Sequence, residues 1–269
     1  MLAVGRVAAA PEHPLSIGTT AVFLDDQLAF LDAWKAYIEQ RLRRPVAFVQ
    51  RSSYREITEL ILAQRIDFAW VCSPPYVSNR GRVRLAAIPL WRGKPLYQSY
   101  VIVPSDDQRT TSILDLGGKI YAFSDPDSNS GWLVPQVELK RAGKDARSFF
   151  RKTFFTWAHR RIVDAVGANL AQGGSIDGYV WETLQLRHPE LTGRTRVAWK
   201  SQEFGFPPII ARGEIPDADF RAFRDLLVAM PADAAGRELL RILNLDGFAA
   251  GRDDVFDSVA ANMRFVGMG

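Results

Sequence analysis

Short apolar runs alternate with helical patterns through the first seventy residues, and this alternation limits the possible folds more than any other feature. The predicted elements are strands over 15–19, 45–50 and 66–71 and helices over 26–43 and 53–64. The third strand is apolar apart from Asp67, as expected for a strand buried on both faces of a parallel sheet. A β-α-β-α-β order of this kind predicts an open α/β sheet.

Both predicted helices carry signals that fix their position. The first has one apolar face, formed by Leu28, Leu31, Trp34, Tyr37 and Ile38. Asp25 and Asp26 precede it as candidate N-terminal caps. Ser53 followed three residues later by Glu56 predicts a capping box at the start of the second helix.

A second α/β unit follows the first. The predicted strands cover 85–90, 97–104, 119–123, 176–179, 196–199 and 208–212. The predicted helices cover 131–142, 159–172, 181–187, 217–230, 232–243 and 253–265. Because the last helices must pack on an existing sheet, the chain is expected to return to the first unit. The sequence therefore predicts a discontinuous lobe one, residues 1–104 plus 206–269, and a lobe two, residues 105–205. Two connecting strands would form a hinge beside a ligand cleft.

Composition excludes several classes of function. The 34 Lys and Arg residues and 30 Asp and Glu residues of this 269-residue chain give a net charge of +4. The basic residues are scattered and no nucleic-acid motif is present, so no nucleic-acid partner is expected. Cys72 is the single cysteine, which excludes an intramolecular disulfide and a zinc-type Cys/His spacing. No metal or other cofactor is predicted.

The N-terminus, MLAVGRVAAAPEHP, lacks the features of a full signal peptide, and no apolar run reaches transmembrane length. Its Ala8–Ala10 stretch before Pro11 is compatible with the remnant of a cleavage region or with a flexible lead-in. The sequence leaves both alternatives open.

The segment 124–132, SDPDSNSGW, is the main candidate binding motif. It follows a predicted strand and opens a predicted helix, where unpaired backbone N–H groups and the helix dipole favour an anion. It contains no Lys and no GxxxxGK spacing, so it is not a nucleotide-binding P-loop. We call Ser128, Asn129, Ser130 and Gly131 the anion cradle. On composition alone, an ordinary helix cap is the simpler interpretation.

Four further residues are candidates for contact with a ligand, and each has a structural alternative. His159 begins a predicted helix and could donate to an oxyanion, although a lone histidine is more often structural. Cys72 follows a strand at the edge where open α/β sheets bind ligands, but free cysteines are usually small buried hydrophobes. Tyr54 and Tyr97 lie near element ends and could face a ligand or the core. No nucleophile and base are paired, so the chain is not expected to be an enzyme.

Five segments together resemble the phosphonate, phosphite and phosphate binding proteins of the periplasm, the PhnD-like family. The segments are SSYREITELILAQRIDFAWVCSPPYV (52–77), LYQSYVIVPSDD (96–107), DLGGKIYAFSDPDSNSGWLVP (115–135), the His159 helix with IDGYVWETL (176–184), and SQEFGFPPIIA (201–211). The resemblance implies a two-lobed type II periplasmic-binding-protein fold that closes on its ligand. It implies oxyanion contacts from Tyr54, Tyr97, Ser128, Asn129, Ser130 and His159. Asn129 departs from the family, which often has Thr there.

Cys72 also makes the chain similar to the arsenite-binding sensor proteins of the AioX type, which report to a membrane histidine kinase. The preferred hypothesis at this point is a monomeric periplasmic protein that holds arsenite through Cys72 and signals to such a kinase. The alternative is the substrate-binding component of an ABC importer for phosphite, phosphate or a phosphonate, with a permease as its partner. Acidic residues that would hold the amine of an aminoalkylphosphonate cannot be placed from the sequence.

Overall fold

The computed structural model describes residues 13–20 and 28–268, without the side chains of residues 28 and 29. Its described part contains two β-sheets, one of six strands and one of five, with helices packed on both. Asp25, Asp26 and the N-terminal segment through Glu12 lie outside the described residues, so the predictions made for them stay predictions. No helix in the described part is long and apolar enough to span a membrane.

The strands are β1 Leu15–Thr20, β2 Val46–Arg51, β3 Phe68–Trp70, β4 Val83–Leu90, β5 Leu96–Pro104, β6 Ile120–Phe123, β7 Lys152–Phe155, β8 Gly173–Asp177, β9 Thr195–Gly205, β10 Ile209–Arg212 and β11 Gly247–Ala250. The α-helices are α1 Leu28–Leu42, α2 Tyr54–Leu62, α3 Ser73–Ser78, α4 Val134–Arg141, α5 Ala146–Phe149, α6 His159–Gly167, α7 Gly178–Arg187, α8 Pro189–Thr192, α9 Asp217–Ala229, α10 Ala234–Leu243 and α11 Asp257–Val266.

The first sheet has the strand order β11-β4-β10-β3-β1-β2. Strands β2 and β3 both run parallel to β1, which confirms the open α/β arrangement predicted from the alternating pattern. The apolar face of α1 packs on this sheet, with Trp34 and Ile38 fully buried. The predicted capping box of α2 is present, since Ser53 and Glu56 bond to each other's backbone N–H groups. The side chain of Leu28 lies outside the described part.

The second sheet has the strand order β7-β6-β8-β5-β9. Its parallel core, β6 with β7 and β8, forms the second α/β unit that the sequence predicts. Strands β7 and β11 and helix α3 have no counterpart in the sequence prediction. Strand β8 ends at Asp177, before the predicted end at Tyr179, because Asp177 caps α7 through bonds from the Tyr179 and Val180 N–H groups.

The chain crosses between the sheets from Leu90 to Leu96 and again from Gly205 to Ile209. We call the first sheet with its helices lobe one and the second sheet with its helices lobe two. The sequence placed the first boundary at residue 104, whereas β5 pairs with β8 and β9 and therefore belongs to the second sheet. An apolar strand in sequence does not reveal which sheet it joins, because pairing partners lie far along the chain. That the lobes move as separate units stays a prediction.

Candidate ligand-binding site

The anion cradle follows β6. Its last three residues form the start of a π turn, Asn129–Leu133, that leads directly into α4. The predicted helix over 131–142 therefore starts two residues earlier and with a wider turn. Ser128 caps the turn, since its hydroxyl oxygen accepts from the Gly131 N–H at 3.0 Å. Single π turns inside helices are frequent at functional sites, and here the cap Ser128 and the first two residues of the turn, Asn129 and Ser130, are three buried polar residues in succession.

Gly131 is required by the close packing of the cradle on the end of β6. A Cβ atom at position 131 would lie 2.7 Å from the Ser124 Cβ, overlap the Ser124 hydroxyl and come within 3.2 Å of the Ser124 backbone nitrogen. These contacts are shorter than nonbonded carbon atoms allow. The glycine therefore contributes space rather than a contact of its own.

Strand β5 fixes the cradle from the side. The Ser99 hydroxyl donates to the Ser130 carbonyl at 2.6 Å, and the Asn129 side-chain amide donates to the Tyr97 hydroxyl at 3.0 Å. Burial raises the pKa of Tyr97 well above its ordinary value, so the phenol keeps its proton. The Tyr97 hydroxyl accepts from Asn129 and retains its own hydrogen for donation.

His159, the first residue of α6, is buried and faces the start of α7. Its Nδ1 accepts from the Asp177 backbone N–H at 3.1 Å. Burial lowers the pKa of His159 to about 3, so the ring is neutral at physiological pH. A neutral imidazole that accepts at Nδ1 carries its hydrogen on Nε2. His159 therefore offers one neutral N–H donor.

Tyr54 and Cys72 form the opposite side of the site, in lobe one. The two buried side chains pack against each other, although Tyr54 follows β2 and Cys72 follows β3. The Asn129 N–H of the cradle donates to the Cys72 Sγ at 3.2 Å across the lobes. The Tyr54 N–H, at the start of α2, donates to the Asp125 carboxylate of lobe two at 3.2 Å. The structure thus brings all eight predicted site residues to one place between the sheets.

Several polar atoms in the site have no protein partner. The Ser124 Oγ and Asn129 Oδ1 are buried without a hydrogen bond within the part of the chain that the structure describes. The Ser130 hydroxyl lies beside the Tyr97 hydroxyl and also lacks a partner in good geometry. An unsatisfied buried polar group costs about 1–3 kcal/mol. A group of them at one location indicates a site that accepts a polar ligand.

Two acidic residues of the site were missed by the sequence analysis. Burial raises the pKa of Asp177 to about 8 against the opposing effect of two backbone N–H donors, and burial raises the pKa of Asp125 to about 6. Asp125 follows β6 and Asp177 is the last residue of β8, and this position at a strand end was the available signal. Glu182, the next acidic residue along the chain, does not join them and accepts hydrogen bonds from Tyr100 and Arg92.

The site is covered at its entrance by a contact between the lobes. Arg55 of α2 pairs with Asp127 of lobe two at 3.5 Å, and the Arg55 side chain is 68% exposed. A cavity of about 190 Å³ opens beside this pair and is also lined by Pro74 and Met263. The cradle residues behind the pair are buried, so in this structure the two lobes enclose the site.

Two α/β lobes, joined by two crossings and enclosing a polar site, define a type II periplasmic-binding-protein fold, and solved structures confirm it. A binding protein component of an ABC phosphonate transporter from Pseudomonas aeruginosa superposes with a TM-score of 0.86 at 21% identity, covering 95% of this chain and 87% of that one. PhnD1 from Prochlorococcus marinus in complex with methylphosphonate superposes with a TM-score of 0.84 at 16% identity, covering 96% and 100%. At 21% and 16% sequence identity, this structural similarity establishes the fold and not the ligand.

The family model described as "ABC transporter, phosphonate, periplasmic substrate-binding protein" matches residues 17–256. The chain belongs to this family, as the five sequence segments predicted. The phosphate-import protein PhnD of Mycolicibacterium smegmatis is 28% identical over 192 residues, which cover 65% of this chain and 59% of that relative. The family description is of a substrate-binding protein and not of an enzyme.

Proposed function

We propose that this protein is the periplasmic substrate-binding component of an ABC importer for a small phosphorus oxyanion. The observation that carries the proposal is the enclosed site itself, in which neutral donors of lobe two lie beside the buried Tyr54 and Cys72 of lobe one and beside polar atoms that have no protein partner. Tyr97, His159 and the cradle hydroxyls can each donate one hydrogen bond to an oxyanion. A membrane permease is the partner that this function requires.

The charge of the site favours a ligand that carries both acceptors and a hydroxyl donor. The hydrogen bonds of the site residues run to hydroxyl, amide, thiol, carboxyl and backbone groups, and no Lys or Arg side chain of the described part takes part in them. With its pKa raised to about 8, Asp177 remains largely protonated at pH 7 and does not repel an anion. The unpartnered Asn129 Oδ1 is an acceptor, and a protonated phosphoryl oxygen would satisfy it.

The named relatives support phosphorus rather than arsenic as the central atom. The Mycolicibacterium smegmatis relative is a phosphate-import protein, and a Prochlorococcus marinus relative, 25% identical over 96 residues, is a probable phosphite binding protein. The chain matches 59% of the first relative's length and 32% of the second's. Both proteins point to transport of a phosphorus oxyanion, which was the alternative at the level of sequence.

The hypothesis of arsenite sensing through Cys72 has less support. Burial raises the pKa of the Cys72 thiol to about 12, so at neutral pH it is not a thiolate. Its Sγ already accepts the Asn129 N–H. The surroundings of Cys72 suit a packed thiol that receives a hydrogen bond rather than a reactive ligand.

Calorimetric titration of the purified protein with phosphate, phosphite, methylphosphonate and arsenite tests the proposal. We expect tight binding of at least one phosphorus oxyanion. We expect Ser130→Ala to weaken that binding by roughly 10- to 100-fold, because a hydrogen bond to a charged ligand contributes about 1.5–3 kcal/mol. Ser105→Ala, an exposed serine on the same lobe, is the matched control and should bind as the wild type does. Binding of arsenite alone would refute the proposal.

A further inference from the structure

Thr20 is a buried polar residue of lobe one that nothing in the protein's own hydrogen bonding explains. It ends β1, is 2% exposed, and its Oγ1 has no hydrogen-bonding partner among the residues that the structure describes. Threonine hydroxyls inside proteins are normally satisfied by backbone, side chain or water. At the edge of a sheet where ligands bind, a ligand can supply the missing partner of a side chain that faces the site.

The strand order places Thr20 beneath the site. Strand β1 lies between β3 and β2, and the three strands are parallel, so their carboxyl ends share one edge of the sheet. Tyr54 follows β2 and Cys72 follows β3, and these two site residues pack against each other. The end of β1 must therefore lie between the strand ends that carry the lobe-one side of the site.

The direction of the Thr20 side chain follows from its neighbour in the strand. A Cβ atom on Gly18 would point at α2, since it would lie 3.1 Å from the Ile57 Cγ2. Thr20 shares that face because side chains alternate along a strand. Helix α2 runs antiparallel to β1, and Tyr54 lies about one turn before Ile57. Thr20 lies two residues beyond Gly18, toward the carboxyl end of β1, and is therefore level with Tyr54. Thr19 points to the other face of the sheet.

We propose that Thr20 is a specificity-determining residue that contacts the fourth substituent of the phosphorus atom. This inference rests on the proposed function. The cradle, Tyr97 and His159 of lobe two hold the phosphoryl oxygens, which leaves one substituent directed at lobe one. A hydroxyl there can bond to the fourth oxygen of phosphate but not to the hydrogen of phosphite or the methyl group of methylphosphonate. Thr20 therefore favours phosphate over both analogues.

Calorimetric titration of phosphate, phosphite and methylphosphonate into wild type and Thr20→Val tests the inference, since valine keeps the shape and removes the hydroxyl. We expect Thr20→Val to bind phosphate at least tenfold more weakly and to bind methylphosphonate equally well or better. Thr19→Val is the matched control, because Thr19 is equally buried and unpartnered but lies on the other face. It should leave the order of the three affinities unchanged.

The outcomes separate the inference from the proposed function. Binding of none of the three anions by the wild type would overturn both. Equal changes in all three affinities for Thr20→Val, or a shift in preference only for Thr19→Val, would overturn the inference and leave the proposed function intact. Thr20→Ser restores the hydroxyl and should restore the preference for phosphate. Loss of that preference in a folded Thr20→Ser protein would also contradict the inference.

Discussion

The two walls of the site are built in different ways. The lobe-two wall comes largely from one continuous segment, Ser124 through Gly131, to which Tyr97, His159 and Asp177 are added. The lobe-one wall has no such segment, since Thr20, Tyr54 and Cys72 each follow or end a different strand. The lobe-two wall of the candidate site is therefore largely formed within one segment, whereas lobe one contributes to the site only where several strand ends meet.

We expect this difference to separate the residues that bind the ligand from those that hold the two lobes together. Within lobe two, the cradle is held by its own bonds, from Gly131 to Ser128 and from Ser99 to Ser130. Three contacts join lobe one to the segment Ser124 through Gly131 across the cleft. The Tyr54 N–H donates to Asp125, and Arg55 forms an ion pair with Asp127. The Asn129 N–H donates to the Cys72 Sγ. Since the segment proposed to bind the anion is also the one that lobe one contacts, we expect ligand binding and closure to stabilise each other.

The largest expected effect is on the lobe-two wall. Gly131→Ala should weaken binding of the phosphorus oxyanion by at least about 100-fold, or about 2.7 kcal/mol, because the new Cβ overlaps Ser124. Displacing Ser124 or the turn should also destabilise the protein by about 1–3 kcal/mol. Calorimetric titration and thermal melting measure both quantities. Gly81→Ala, with nothing within 4 Å of the new Cβ, is the control. Normal binding by Gly131→Ala would show that the cradle is not preformed.

His159→Ala tests a single donor of the same wall. Removing the Nε2–H should weaken binding about 10- to 100-fold, as expected for a hydrogen bond to a charged ligand. The loss should be constant from pH 5 to 8, since the His159 pKa of about 3 lies below that range. His188→Ala, an exposed histidine in the same lobe, provides the comparison. A loss that appears only at acidic pH would mean that a charged imidazolium makes the contact.

Asp177→Asn tests the neutral state of the lobe-two wall. Because burial raises the pKa of Asp177 to about 8 from 3.8, the stability that its protonated form gives is present below about pH 4 and is lost as the pH rises toward 8. The difference in unfolding free energy between wild type and Asp177→Asn should shift against the wild type by up to about 1.4 kcal/mol per pH unit in that window. Denaturant titrations of ligand-free protein measure it. The depressed pKa of His159 affects the unfolding free energy of both proteins equally and therefore cancels in the difference. A constant difference would show that Asp177 ionises normally.

The smallest expected effect is on the lobe-one wall. Cys72→Ser should retain binding of the phosphorus oxyanion within about threefold, since a hydroxyl can also accept the Asn129 N–H. Calorimetric titration with the phosphorus oxyanions and with arsenite checks this. Stoichiometric arsenite binding by wild type that disappears in Cys72→Ser would show that the lobe-one wall contributes most to binding affinity. It would also restore arsenite as the ligand.

The sequence predicted most of what is local. Alternating apolar patterns predicted the α/β units, and the Ser53–Glu56 spacing predicted the capping box of α2. The cradle was visible as one segment, and the resemblance turned Tyr54, Tyr97 and His159 from open candidates into expected oxyanion contacts. In the sequence, Asp125 was only one of several residues in the segment 124–132 that commonly cap helices. Asp177 carries no local sequence signal that distinguishes it from Glu182, the next acid along the chain.

The sequence by itself therefore determined the two α/β units, their helix caps and the lobe-two segment proposed to receive an oxyanion, because each depends on neighbours within a few residues. The tertiary structure alone decided that β5 belongs to the second sheet, that Asp177 is buried with a raised pKa, and that β1 ends at Thr20 between the strand ends that precede Tyr54 and Cys72. Strand pairing and burial join residues far apart in the chain, and the pKa of a carboxyl group or the partner of a hydroxyl follows from that environment.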